Sequence, residues 1–311
     1  MLFGRSRKEQ GWLLIDESPD EVTFVHGVGA GERASIAAWA RVGVAPAHGG
    51  LERIAKERHF ERYQCATLLR PGEYQIMLVE APSVPAAELK SAIRWRVKEM
   101  LDYPVDNATL DVLDIPPESA DAARSHSMFA VAAKNELIES RMKRFEAARV
   151  PLRVIDIPET AQRNIAALYE DDNRAAALLF LERESALLTI NFRGELYFAR
   201  RFDAGFEQIL KYAADARREV FGRIHLELQR TFDHFDRQHG FVSISKLLLG
   251  PEPEESGLAE FLRSNLELPV ERVDLPQRLN VQAAAEAFDT PTQWRLFHLV
   301  GAALRQEARA A

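Results

Sequence analysis

The chain has 311 residues, 47% hydrophobic and 28% charged, which suits one large or two medium cores and excludes a disordered polymer. Its 40 basic and 47 acidic side chains give a net charge of -7, which argues against a broad nucleic-acid-binding surface and leaves room only for a local basic patch. Cys65 is the single cysteine, so an internal disulfide is ruled out, a thiolate metal cluster is not expected and a reducing cytoplasm fits.

The start, Met1 to Lys8, is basic, but the apolar run from Trp12 to Ile15 is too short for a signal-peptide core. The longest apolar stretch, 175–181, falls far short of the ~20 residues of a membrane-spanning helix. A direct membrane span is therefore not expected, and any membrane role would come through a partner or the basic start.

In chain order, 12–16, 21–26 and 35–43 read as three strands of a meander, with Val22, Phe24 and His26 alternating against Thr23 and Val25. Two further apolar runs, 64–70 and 74–80, flank Pro71-Gly72, which predicts a hairpin and one sheet growing through residue 80. After Ser83 and Pro85, the spacing of Leu89, Ile93, Val97 and Met100 predicts a helix over 85–101, ended by Asp102-Tyr103-Pro104. Strands are expected at 109–115 and 128–133 around a polar surface loop, 116–127, followed by a helix at 134–149, a strand at 152–156 and a helix at 159–170.

Asn173-Arg174 marks a joint, after which strands at 176–182, 186–192 and 195–202 repeat the opening meander. Leu13 to Val25 aligns without a gap on Leu178 to Ile190, apolar on apolar and turn on turn. A long helix then carries Val220, Ile224, Leu228, Thr231 and Phe235 on one face. A strand at 245–250, a helix at 257–266, a short strand at 270–274 and a helix at 291–308 complete the chain. A meander followed by alternating helix and strand, occurring twice, predicts an α/β protein of two related halves with a cleft between them.

Several segments resemble the PilM/MshI branch of the actin-like (ribonuclease H-like) ATPase fold, whose members are cytoplasmic proteins of type IV pilus assembly. These are Ala92-Ile93-Arg94-Trp95-Arg96-Val97-Lys98-Glu99 with Tyr103-Pro104-Val105-Asp106, then Val154 to Glu159, Gly194 to Arg200, Glu227 to Phe235 and Gly301 to Arg305. The turn and the Ile155 to Glu159 segment look closest to MshI, of the mannose-sensitive haemagglutinin pilus. The resemblance implies a first half at 1–172 with an inserted small subdomain at about 44–133, a second half at 173–290, and a helix at 291–311 returning to the first half. It also implies a PilN-type inner-membrane partner, whose N-terminal cytoplasmic segment binds the subdomain. Other pilus assembly components would be near, and the protein would be peripheral to the inner membrane.

The same resemblance implies ATP and Mg²⁺ held by two glycine-containing hairpins and a glycine-rich adenosine motif. Asp16 matches the first hairpin's aspartate, but Ser18 takes its glycine position and Pro19, without an N–H, follows. In the second hairpin the aspartate position falls on Phe180 or Leu181 and the glycine position on Glu182, whose charge would repel a polyphosphate unless Mg²⁺ or Arg183 compensated. The adenosine motif keeps only its outer glycines, Gly250 and Gly257. Asp16, Gly250 and Gly257 are thus remnant candidates. The expectation is a pseudo-ATPase without a cofactor, no catalytic residue and no metal site. The alternatives are an active ATP-binding or ATP-hydrolysing relative and a type II secretion component; a sugar kinase lacks its substrate aspartate.

Other chemistry has weaker support. His225, His234 and His239 are 9 and 5 apart, not on one helical face as a metal pair would be. Cys65 sits in an apolar strand pattern without a basic activator, as an inert core thiol does. Gly27-Val28-Gly29-Ala30-Gly31 links two strands and reads as a turn rather than a phosphate cradle. The segment Ile93, Arg94, Trp95, Val97 and Lys98 reads either as a solvated helix face or, from its position in the family, as the partner-binding face beside a groove against the opening sheet.

Overall fold

The first apolar alternation builds the expected antiparallel meander, β1 (Trp12–Glu17), β2 (Glu21–Val28) and β3 (Ser35–Gly43), in a computed structural model that describes residues 8–29, 31–44, 50–117, 127–212, 214–282 and 287–306. There follow α1 (Gly50–Glu57), β4 (Gln64–Leu68), β5 (Tyr74–Glu80), α2 (Ala86–Val97), β6 (Ala108–Asp114), β7 (Ser127–Lys134), α3 (Asn135–Ala147), β8 (Leu152–Asp156) and α4 (Pro158–Ala166). The rest comprises β9 (Ala175–Leu181), β10 (Ala186–Phe192), β11 (Glu195–Phe202), α5 (Phe206–Lys211), α6 (Ala214–Gln238) and β12 (Ile244–Leu249). It ends with α7 (Leu258–Asn265), β13 (Val270–Arg272), α8 (Leu275–Arg278), β14 (Asn280–Val281) and α9 (Thr290–Ala303). The basic start at 1–7, positions 118–126 of the expected surface loop and the end of the expected last helix lie outside the described residues.

The repeat is real at the level of topology. The first sheet runs β14-β3-β2-β1-β4-β8 and the second β11-β10-β9-β12-β13. In both, a meander is extended from its first strand by parallel strands reached through helices, β4 and β8 in one and β12 and β13 in the other. The central strands β9, β10 and β12 are buried throughout, which is why they read as nearly unbroken apolar runs rather than alternating ones.

The hairpin expected at Pro71-Gly72 does not form. β4 pairs in parallel with β1, whereas β5 leaves that sheet and pairs antiparallel with β7 in a separate three-stranded sheet, β5-β7-β6. A Pro-Gly turn fixes a change of direction but not the partner of the strand that follows. The small sheet occupies 74–134, less than the expected 44–133, because α1 and β4 belong to the first sheet: Leu51 and Ile54 pack with Leu13, Ile15 and Phe24. The helix expected to reach 101 stops at Val97. Two-residue β14 carries the chain from the second half back to β3, a crossing no periodicity announced.

A central layer of α4 and α9 lies between the two large sheets, with Leu14 and Ile36 of one, Leu178 and Phe180 of the other, and Ile165, Leu296 and Phe297 of the helices in one core. α9 is buried nearly all round. Asp289 caps it by accepting from Thr292 N at 2.9 Å, and Pro291 sits in its first turn. Its C-terminal end approaches two backbones so closely that only glycine fits. A Cβ on Gly301 would lie 2.1 Å from Ala161 O of α4, and one on Gly27 of β2 would lie 2.4 Å from Ala303 O.

Candidate functional site

The two homologous turns, at the ends of β1 and β9, face the cleft on either side of the α4–α9 layer, and the chain's own charges surround both. In the first, Ser18 N donates to Glu21 O at 2.8 Å and closes the turn around Pro19. Arg70, which follows β4, lies 3.0 Å from Asp16 Oδ1 and donates to Glu17 O at 2.8 Å. Arg144 of α3 bridges Glu17 and Glu52, and this hydrogen bonding holds the Glu52 carboxyl below the usual carboxylate range. Asp16 and Glu17 therefore have guanidinium partners drawn from 54 and 127 positions away.

In the second turn, Glu182 N donates to Ser185 O at 2.8 Å, and Ser185 Oγ donates to Glu182 Oε2 at 2.6 Å. Arg201 of β11 pairs with the same carboxylate. Burial opposes the ionisation of Glu182, but the neighbouring His298, Arg201 and the Ser185 hydroxyl together outweigh it, and the carboxyl stays below its ordinary range. His298 of α9, 3.9 Å from Glu182, is largely covered, and burial pushes its imidazole down to about 4, so it is neutral near pH 7.

Phe180, one of the two positions matched to the first turn's aspartate, stacks on Phe297 with ring centroids 4.3 Å apart. The ring also explains Gly250, where a Cβ would come 2.5 Å from Phe180 Cδ2. Gly257, the other surviving glycine, caps α7 with φ +88°, in the left-handed region that favours glycine. Between them Glu252 is buried, accepts from Ser256 Oγ, and has its carboxyl pushed up to about 7 by burial. Both glycines thus have local structural reasons to be there.

The small sheet separates residues that were expected to act together. Ile93 and Val97 are fully buried against Met77, Val79, Ala130 and Ala132. Arg94 also points inward and donates to Val105 O and to Ala108 O, fastening α2 to the start of β6. Only Trp95 and Lys98 face solvent: Trp95 is 76% exposed, and Lys98 Nζ lies 5.6 Å from its ring centroid. The sheet's opposite face, with Ile76, Val131, Ala133 and Leu113, packs toward α3 and Ile157. Between α3 and the ends of β1 and β4, where the chain returns from the small sheet to the opening sheet, a hollow of about 250 Å³ is lined by Glu17, Thr67, Arg70, Leu137, Arg141 and Arg144. The exposed tryptophan and the junction groove are therefore two surfaces, not one.

Cys65 is buried, and burial raises its thiol to about 12. The three histidines meet different neighbours: His225 bonds Asn265 O, His234 lies against Phe198, and His239 packs on Phe235 just beyond α6. Tyr74, Glu159 and Gln162 make polar contacts between elements: Tyr74 with Glu159, Glu159 with Arg201, and Gln162 with the backbone of β9. Glu159 ends one of the segments that carry the resemblance, but no sequence pattern announced these contacts, since the partners lie on other elements. Among the described residues, no helix is long and apolar enough to cross a membrane.

No known protein family matches the sequence, and no curated protein matches it by sequence. Solved structures do match in fold. A chain of the PilM–PilN type IV pilus biogenesis complex is similar at TM-score 0.70 and 19% identity, over 97% of this chain and 100% of that one. A Bacteroides thetaiotaomicron protein with an actin-like ATPase fold and unknown function is similar at TM-score 0.50 and 9% identity, over 88% and 93%. The cytoplasmic domain of EpsL, an inner-membrane component of the type II secretion system of Vibrio cholerae, is similar at TM-score 0.47 and 13% identity, over 92% and 95%. The chain has the actin-like fold.

Proposed function

We propose that this chain is a non-catalytic assembly protein of a type IV pilus machine, of the mannose-sensitive haemagglutinin type, and that it docks the cytoplasmic N-terminal segment of a PilN-type inner-membrane protein. The observation that carries the reading is where apolar surface is left uncovered. Among the described residues, Trp95 is the most exposed of the large hydrophobic side chains, at 76%, and it stands on the outer side of α2. A large apolar ring left in water is a ready anchor for a partner, and tryptophan is among the side chains enriched at interface hot spots. The likeness in fold to a chain from a complex of PilM with PilN supports the choice of partner. The protein would sit on the cytoplasmic side of the inner membrane, held by that partner, beside other assembly components.

A peptide from the amino terminus of the cognate PilN-type protein is expected to bind the purified chain. Trp95→Ala should weaken it by about tenfold or more, a typical loss for an interface anchor. Arg94→Glu is not an equivalent test, because it would remove the ties to Val105 and Ala108 and damage α2 itself. Titration calorimetry checks the prediction; a folded Trp95→Ala protein with unchanged affinity would move the docking face elsewhere, to the junction groove first.

The residues present do not fit ATP·Mg²⁺. Asp16 is engaged by Arg70, Pro19 offers no N–H, Glu182 presents a carboxylate where a phosphate would approach, and apolar Phe180 and Leu181 stand where the second aspartate would be. Labelled ATP with Mg²⁺ is expected to show no saturable binding in the micromolar range. Clear Mg²⁺-dependent affinity there would instead favour the active-ATPase reading.

A further inference from the structure

Four side chains from four elements meet in one buried polar chain between the small sheet and the second half. Tyr74 of β5 donates its hydroxyl to Glu159 Oε2 at 2.6 Å. Glu159, in the first turn of α4, is 2% exposed, and its other oxygen accepts from Arg201 Nη2 of β11 at a longer 3.5 Å. Arg201 turns its Nη1 to Glu182, at the start of the β9–β10 turn. Ser185 and neutral His298 complete the surroundings of Glu182.

The arrangement divides one guanidinium between two carboxylates, and the division depends on Tyr74. A carboxylate buried this deeply is costly unless it is hydrogen-bonded and paired. While the tyrosine hydroxyl serves Glu159, Arg201 can lean toward Glu182. If β5 shifts and withdraws Tyr74, Glu159 is still desolvated and its remaining donor is Arg201, already within 3.5 Å. The guanidinium then closes on Glu159 at the expense of Glu182. The β9–β10 turn, held by the Glu182 and Ser185 bonds, loosens. Room for such a shift exists: a hollow of about 190 Å³ bounded by Pro71, Gly72, Tyr74, Ala199 and Arg200 lies beside the tyrosine. Gly72, with φ +86° and open space around its Cβ position, precedes Tyr74 by two residues.

We propose that Tyr74, Glu159, Arg201 and Glu182 form a clasp through which displacement of the small sheet changes the order of the β9–β10 turn. The coupling belongs to the free protein and stands or falls independently of any partner. A partner that moved β5 would be felt in the second half, and a change at the turn would be felt in the small sheet by the same factor.

The test is a double-mutant cycle on the full chain between Tyr74→Phe and Glu182→Gln, two residues linked in this network through Arg201, which Tyr74 meets both directly and by way of Glu159. A clasp predicts non-additivity of about threefold or more in the unfolding equilibrium constant. It also predicts faster amide exchange at 182–185 in Tyr74→Phe alone. Additive effects would overturn the proposal. If Glu182→Gln fails to fold, unchanged exchange at 182–185 in Tyr74→Phe overturns it equally.

Discussion

Gly301→Ala is expected to cost about 3 kcal/mol or more of stability, a large share of what a domain possesses. The single added methyl would sit 2.1 Å from Ala161 O and 2.7 Å from its carbonyl carbon, and neither atom belongs to a flexible side chain. Relief requires moving α9 away from α4, which would stretch the Asn164 bond to Gly301 O and disturb a layer packed against both large sheets. Gly222→Ala is the control. Its Cβ meets nothing within 4 Å in the long helix α6, and the change should stabilise by about 0.5–1 kcal/mol through helix propensity. Urea denaturation of the two variants checks both signs. A neutral Gly301→Ala would mean that α4 and α9 are not in backbone contact.

Glu252 is expected to make the folded chain lose stability as the pH rises through neutrality. Burial raises its carboxyl from 4.5 to about 7, so the native state keeps a proton that the unfolded chain releases. The contribution is present in full below about pH 4.5 and is lost as the pH passes through about 7, with a total near 3 kcal/mol. Glu159 is also raised by burial and acts in the same direction, so the wild-type profile alone cannot isolate one residue. Glu252→Gln can, because the amide still accepts from Ser256 and does not titrate. The variant should lose less stability than the wild type between pH 5 and 8 in chemical denaturation. Parallel profiles would place the Glu252 carboxyl in contact with water.

What could be read without coordinates was whatever left a local trace. The duplicated meander was visible because residues facing a core alternate or run apolar within a single strand, and the face of α6 was visible because Val220, Ile224 and Leu228 recur at helical spacing. Pairing was less legible. Nothing local tells β5 to leave β4 and join β7, since the choice is made by side chains some fifty residues downstream. The site divided along the same line. The missing turn glycines and the misplaced acid at Glu182 stand in the sequence itself, whereas Arg70 on Asp16, Arg201 on Glu182 and Tyr74 on Glu159 are encounters between distant segments. Residues 93–98 show the limit most clearly. Their place in the family resemblance suggested a docking face, yet helical geometry turns Ile93, Arg94 and Val97 inward and leaves Trp95 and Lys98 outside.

The shared helical layer also constrains how the two repeats can diverge. Each copy has an outer face of its own, covered by α1 and α3 on one side and by α5, α6 and α7 on the other, where a substitution is absorbed locally. The inner faces have no such independence, because Phe297 and Ile165 belong to one packed layer that touches both sheets. A volume change there is registered by both copies at once and must be compensated in both. Sequence drift should therefore be rapid on the outside and locked in step at the seam, so that the inherited symmetry survives longest in the part of the molecule where neither repeat can be told from the other.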